Sequence, residues 1–251
     1  MISYFEYNGQ KSSDFGIKIY NDLEFSTARR DIEEIKVLGR DGVLLYDNER
    51  LDIVEKTINF DITNITGVKN GSDGSQLFNR VLEISKWLNV KGFHDFKYSM
   101  YPNFTFKATI IDTYNIRDTI RTFGRGSIKI KFQPYMYYNS GLDERIITTK
   151  TTLKNKGIIS MPRLRITPLK TGQDIEIKNN GKLWLKLKGL EHEIIIDSEL
   201  MQAYDKLGNA NEKMYINRPL FPQLEIGNNL IEYNSELCTV NIIPRFREEI
   251  I

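Results

Sequence analysis

Phe221-Pro222-Gln223-Leu224-Glu225-Ile226-Gly227-Asn228-Asn229 is followed directly by Leu230-Ile231-Glu232-Tyr233. Pro219 and Pro222 bracket the start of an apolar segment that ends in Gly-Asn-Asn. Proline removes a backbone donor, and glycine permits positive φ. The spacing predicts a short strand over 221–226, a tight turn over 227–229 and a second strand over 230–233. Phe221, Leu224 and Ile226 are expected in the core. This is an antiparallel β corner, and the sequence on both sides of it has the same character.

From residue 146 onward there is almost no helical period. Strands are expected over 146–149, 163–167, 174–178, 183–188, 193–197, 213–216, 230–233 and 239–243. Asn179-Asn180-Gly181 and the Gly189 region separate neighbours. Many short strands with turn chemistry between them describe a sandwich or jelly-roll layout. Upstream, a strand over 127–132 alternates Ile128, Ile130 and Phe132 inward with Lys129 and Lys131 outward, and is expected to stop at Pro134. A Ser-Gly turn and polar sequence follow. The domain boundary is therefore placed here, giving domains 1–138 and 139–251.

The first domain reads as β with one helix. Residues 2–7 form a short strand, and Asn8-Gly9 is a hairpin turn signal. Another strand covers 15–20. Two apolar runs, 35–38 and 43–46, flank Gly39-Arg40-Asp41-Gly42 and predict a hairpin. Ile58, Phe60 and Ile62 alternate strictly on one face. The period then changes. Over 75–90, Leu77, Val81, Ile84 and Leu88 recur at helical spacing, and Phe78 and Leu82 widen the stripe. Ser75 is the expected N-cap and Gly92 the glycine past the C-terminus. Strands resume over 96–98 and 104–114, with His94 in the connecting loop. The fold class is mainly β.

The chain has 251 residues, enough for two β domains. Thirty-five basic and 33 acidic side chains leave a formal charge of +2. That balance argues against a polyanion partner and sequence-specific nucleic acid. One cysteine, Cys238, excludes an internal disulfide framework and a multi-cysteine metal site. No apolar run reaches about 18 residues, so no membrane-spanning helix is expected. The N-terminal residues lack the basic and apolar pattern of a secretion signal. The sequons at Asn64 and Asn103 are discounted accordingly.

Candidate chemistry is sparse. His192 lies between Glu191 and Glu193, but in a strand its side chain points away from theirs. Cys238 is read as a packed apolar residue. Asp41, Asp47, Asp52, Asp61, Asp112 and Asp197 are too scattered to define a carboxylate dyad. Arg117, Arg121, Arg125, Lys129 and Lys131 make a basic run without the outward aromatics of a nucleic-acid groove. No enzyme activity, metal or cofactor is expected. With Leu183, Leu185 and Leu187 facing the core, Trp184 shares an outer face with Lys186 and Lys188. Trp184 and Lys186 there, with Arg40 and Asp41 in the hairpin loop, are the candidate contacts for a protein partner or a saccharide. A carbohydrate-binding module for host cell-wall saccharide is the alternative function.

One resemblance unites these motifs. The order runs from Glu193-Ile194-Ile195-Ile196-Asp197-Ser198-Glu199-Leu200 through Tyr204-Asp205, Asn211 and the stretch at 221–231 to Ile243-Pro244-Arg245-Phe246-Arg247. It resembles the distal tail protein (Dit) family of siphophages that infect Gram-positive bacteria. Phe5-Glu6-Tyr7-Asn8-Gly9, Ser12-Ser13-Asp14-Phe15-Gly16-Ile17 and Leu38-Gly39-Arg40-Asp41-Gly42 look like that family's opening. The resemblance implies an N-terminal β domain that assembles into a hexameric ring and a C-terminal galectin-like β-sandwich. It also allows the tail 244–251 to return to the N-terminal domain. It implies a baseplate hub at the virion's tail tip, assembled in the host cytoplasm. The implied partners are the major tail-tube protein, the end of the tape-measure protein, the tail-associated protein (Tal) and baseplate or receptor-binding proteins. Of the side chains that galectins use for sugar, only His192 and Trp184 have candidates here, so no sugar-binding residue is carried over.

Overall fold

The structure, a computed structural model, describes residues 3–20, 27–62, 75–110, 115–120, 123–215 and 221–250. The sequon at Asn64 lies outside them, as do Asp112, Arg121, Ile216 and Pro219. The chain divides into two compact units, Met1–Met136 with Glu249–Ile251, and Tyr137–Glu248.

The first unit contains β1 (Phe5–Tyr7), β2 (Gln10–Lys11), β3 (Ile17–Ile19), β4 (Arg30–Ile35), β5 (Leu44–Leu51), β6 (Val54–Ile62), α1 (Ser75–Leu88), β7 (His94–Tyr98), β8 (Phe104–Thr109), β9 (Asn115–Ile120) and most of β10 (Phe123–Tyr138). Its main sheet runs β2-β1-β7-β8-β10-β6-β3, and β9 also pairs with β10. The β1–β2 turn works because Asn8 and Gly9 both take positive φ, 49° and 76°. That geometry matches the right-handed twist of the flanking strands. Ile58, Phe60 and Ile62 on β6 and Ile128, Ile130 and Phe132 on β10 are buried in one core, as their alternation requires.

The helix exists as its period predicts and packs Val81, Ile84 and Leu88 of the expected stripe against the core, but the stripe widens on the other side. Ile84, Trp87 and Leu88 are in the core, whereas Phe78 and Leu82 are exposed. At about 100° per residue, Leu82 stands roughly 160° from Ile84, while Trp87 stands only about 60° away. Trp87 stacks between Phe5 and Phe15, at 5.5 and 4.4 Å. Its Nε1 donates to the Tyr7 carbonyl at 2.8 Å, which gives the buried indole its polar partner. Gly92 takes φ 88° just beyond the helix. His94 opens β7 and is not a loop residue. Its ring meets Tyr7 edge-on at 5.8 Å.

The second unit contains β11 (Arg145–Ile147), β12 (Lys150–Asn155), β13 (Arg163–Pro168), β14 (Gln173–Asn179), β15 (Lys182–Leu190), β16 (Ile194–Asp197), β17 (Gln202–Asp205), β18 (Gly208–Asn209), β19 (Met214–Tyr215), β20 (Gly227–Tyr233), β21 (Cys238–Ile243) and the start of β22 (Arg247–Glu249). Two sheets, β11-β21-β13-β16-β17-β18 and β12-β20-β14-β15-β19, share one aliphatic core. This is a β-sandwich. Asn180 and Gly181, φ 51° and 75°, make the β14–β15 turn.

The predicted stop at Pro134 does not occur. β10 runs through it to Tyr138. β22 pairs with β10, and the Ile250 N–H donates to the Pro134 carbonyl at 2.9 Å. That rung uses only a carbonyl, so proline's missing N–H costs no ladder bond there.

The predicted turn over 227–229 is also displaced. Gly227 already opens β20, paired with Asn155, and Asn229 pairs with Leu153. The bend lies before it. Asn229 is fully buried; its Oδ1 accepts from the Glu225 N–H at 3.0 Å and its Nδ2 donates to the Glu225 carbonyl at 2.8 Å. The side chain closes the bend that a backbone turn was expected to make. Leu224 is buried and bonds Ser160 in both directions at 3.0 Å, while Ile226 is 67% exposed and outside the core. Gly227 has φ 93° with open space around its Cβ position. Gly227→Val should therefore lower the second unit's stability by more than about 1 kcal/mol through backbone strain. Urea unfolding is the measurement, and the first unit should be unaffected.

Candidate functional site

Two arrangements stand out: an exposed apolar arm in the first unit and a buried ionic anchor in the second.

The arm is the β4–β5 hairpin. Its strands pair with each other and with no other strand among the described residues. Ile35 faces Leu44, Glu34 faces Leu45 and Glu33 faces Tyr46. The loop between them is residues 36–43, longer than the predicted four, because Val37, Leu38 and Val43 fall outside the strands. The base is polar, held by Asp31 to Arg50, by Arg30 to Asp47 at 3.5 Å and by Asn48 to Glu33 at 3.3 Å. The outer half is apolar and exposed. Leu38 is fully open and Leu45 is 66% exposed, with Ile35, Val37, Val43, Leu44 and Tyr46 also exposed. Arg40 and Asp41 sit in this loop, both exposed, with the Arg40 N–H on the Val37 carbonyl. An isolated two-stranded hairpin is marginal in water, and so much exposed apolar surface is unusual on a monomer.

The other predicted pair, Trp184 and Lys186, lies on β15 in the second unit. Trp184 is not an open platform. The β14–β15 register steps from Ile177–Leu185 to Lys178–Leu183, so Trp184 is the extra residue of a bulge. Strict alternation fails there. Leu183 is exposed instead, and the half-buried indole packs against the core, donating from Nε1 to the Gln223 carbonyl at 3.0 Å. Lys186 pairs with Glu176 at 2.5 Å. Their hydrogen bond holds the carboxyl below its ordinary range and the ammonium above.

The anchor escaped sequence reading. Arg245 donates from Nη1 and Nη2 to the two Asp197 carboxylate oxygens, at 2.6 and 2.8 Å. Its Nη1 also lies 3.2 Å from Glu199, whose other oxygen accepts the Tyr137 hydroxyl at 2.6 Å and lies 3.6 Å from Arg247. Arg247 donates from Nε to the Ile159 carbonyl. Desolvation and the adjacent Glu199 push the Tyr137 phenol far up. The segments involved, 197–199 and 245–247, are both in the motif order above, but no signal in the sequence pairs them across 48 residues.

The remaining candidates do not converge. Asp47 and Asp61 hold Arg30 and Tyr20 respectively. Lys129 and Lys131 both pair with Glu55, at 2.5 and 3.2 Å, which offsets part of the charge of the basic run. His192 is half-buried ahead of β16, and among the described residues no group of three His, Cys, Asp or Glu is placed to hold a metal ion. Cys238 is fully buried, and desolvation pushes its thiol up to about 11, which suits packing and not nucleophilicity. No described helix is long and apolar enough to cross a membrane.

No family model matches the chain, and no curated protein matches it in sequence. A solved structure does match. The Dit (gp 19.1) protein of phage SPP1, described as a paradigm of the hub adsorption apparatus in phages that infect Gram-positive bacteria, aligns over 100% of both chains with a TM-score of 0.69 at 15% identity. This chain has the Dit fold. The likeness covers β1 to the end of the chain, so the helix-bearing unit and the sandwich both belong to it. At that identity it is the arrangement of the backbone that is shared.

Proposed function

We propose that this protein is a structural hub of a phage tail tip. The observation that carries the reading is a Dit fold spanning the whole of both chains. In this reading the protein is no enzyme. The first unit forms a homohexameric ring between the tail tube and the tail-associated protein, near the end of the tape-measure protein. The second unit, galectin-like in fold, faces outward, and baseplate or receptor-binding proteins assemble on it. The protein is assembled in the host cytoplasm and resides in the virion.

The β4–β5 arm supports a ring. A heterologous contact between identical subunits closes when its rotation divides the circle. An apolar hairpin exposed on both faces suits insertion against a neighbouring copy, which also removes its edges from water. Arg40 and Asp41 at its tip are then interface residues. The saccharide reading through Trp184 loses its platform because the indole is packed and hydrogen-bonded.

Negative-stain imaging of the purified protein, alone and with the tail-tube protein, is expected to show six-fold particles with a central hole. Leu38→Asp with Leu45→Asp should cut the ring fraction by about tenfold or more, because charge in a buried apolar contact is costly. Circular dichroism should be unchanged, since both side chains are exposed within the subunit. Strict monomers under both conditions would overturn the reading.

A further inference from the structure

The sequence holds three Asn-Gly pairs, Asn8-Gly9, Asn70-Gly71 and Asn180-Gly181. Asn70 lies outside the described residues. The other two close two-residue hairpins, with Tyr7 facing Gln10 in one and Asn179 facing Lys182 in the other. The two turns are closely matched. Asn8 and Asn180 take φ of 49° and 51°, and their glycines 76° and 75°. Both asparagines are exposed, and nothing lies within 4 Å of the Cβ position of either glycine. Glycine puts no side chain beside its own nitrogen, so that nitrogen can reach the preceding side-chain amide when the turn opens.

Two features separate the turns. The first is the side-chain amide. Asn180 is tied to β20 at both of its polar atoms: Nδ2 donates to the Asn228 carbonyl at 3.1 Å, and Oδ1 accepts the Leu230 N–H at 2.9 Å. Asn8 donates its backbone N–H to the Asp95 carbonyl at 3.1 Å, but its side chain has no hydrogen bond among the described residues. The second is the hairpin behind each turn. β2 is two exposed residues at the end of its sheet, paired with β1 only at Glu6–Lys11 and Tyr7–Gln10. β14 and β15 are seven and nine residues long, and their facing pairs Ile175–Leu187 and Ile177–Leu185 are buried in the core. Opening the first turn breaks few contacts, whereas opening the second breaks many.

We propose that Asn8 is a site of spontaneous deamidation and that Asn180, the same dipeptide in the same kind of turn, is protected. The Gly9 nitrogen attacks Asn8 Cγ. The side-chain amide leaves as ammonia, taking the proton from the Gly9 nitrogen, and a cyclic imide remains. Water then opens the imide. Opening at Cγ gives aspartate, and opening at the main-chain carbonyl gives isoaspartate, with the backbone routed through the side chain. Water is the only co-reactant. Isoaspartate adds one carbon to the turn, so Tyr7 and Gln10 no longer face each other and β2 detaches. β1 keeps its pairing with β7, and the Tyr7 carbonyl keeps its indole donor.

The test incubates the full chain at mildly alkaline pH and follows amide-to-acid conversion at each asparagine by peptide mass spectrometry. Asn8 should convert about tenfold or more faster than Asn180, given the two extra hydrogen bonds and the longer hairpin that hold Asn180. In urea that unfolds both units the two rates should converge, because only the shared dipeptide remains. Equal rates in the folded chain, none at either included, or faster conversion at Asn180 would overturn the proposal. A gap that persists undiminished in urea would also overturn it, since the flanking sequence and not the fold would then be the cause.

Discussion

Replacing Arg245 with alanine is expected to destabilise the second unit by about 3–5 kcal/mol, the cost of leaving buried charge without its partner. Asp197 and Arg245 are both largely buried, and their bond is bidentate. Removing Arg245 takes from Asp197 its bidentate partner, leaving it only the longer-range charge of Arg163, and takes a cation from Glu199. The Leu200 N–H, at 3.2 Å from Asp197, cannot neutralise the charge. The paired replacement Asp197→Leu with Arg245→Met should recover most of the loss, because an apolar pair carries no desolvation cost. A double-mutant cycle by urea unfolding separates the two effects. With Trp87→Phe as background, Trp184 reports on the second unit alone. A loss under 1 kcal/mol for Arg245→Ala would show that water reaches the anchor.

The same pair fixes a pH dependence. Burial by itself would raise the Asp197 carboxyl. The Arg245 hydrogen bonds, its charge and the Leu200 N–H together outweigh burial and hold it below its ordinary value of 3.8. A depressed folded-state value stabilises above the unfolded-state value, and that stability drains as pH falls through the folded one. Unfolding free energy of the second unit should therefore fall below about pH 4, and the slope should shrink in the Asp197→Leu, Arg245→Met pair.

The second large effect is expected at Gly157. A Cβ there would meet the Arg247 carbonyl oxygen at 2.1 Å and its carbon at 3.0 Å. Those are backbone atoms, and the same oxygen accepts the Ile158 N–H at 3.0 Å. The Gly157 N–H is itself held by Asn155 Oδ1 at 3.1 Å. Neither chain has slack. Gly157→Val should cost about 3 kcal/mol or more, the upper end of overpacking, because relief means dislodging β22. Gly172→Ala is the control. Its φ is 74°, but its Cβ position is empty, so it should show only strain, about 1 kcal/mol. Equal losses at the two glycines would mean that close approach plays no part.

Much of the fold can be read before any contact is known, because it rests on local chemistry. Asn8-Gly9 and Asn180-Gly181 turn the chain where they should. The alternation on β6 and the helical period of α1 identify both elements. The errors share a cause: each concerns which neighbour an element meets. Trp87 outcompetes Phe78 and Leu82 because Phe5 and Phe15 wait on its side of the helix. β10 survives Pro134 because the chain's end supplies the last rung. The one-residue bulge at β15 exchanges the exposures expected of Leu183 and Trp184. β12 was missed because its six residues carry a single core leucine, Leu153.

The candidate sites follow the same division. The hairpin around Arg40 and Asp41 is legible from its glycines, but that its outer half lacks a partner within the chain is not. Arg245 and Asp197 are visible as residues and invisible as a pair. At 221–229 the sequence by itself settled that a strand must follow a bend, since proline and glycine constrain their own backbone. Only the tertiary structure decided that Asn229 closes that bend, that Gly227 belongs to the strand and that Ile226 faces water. Backbone chemistry is local, whereas a side chain's face and partner depend on residues far away in the chain.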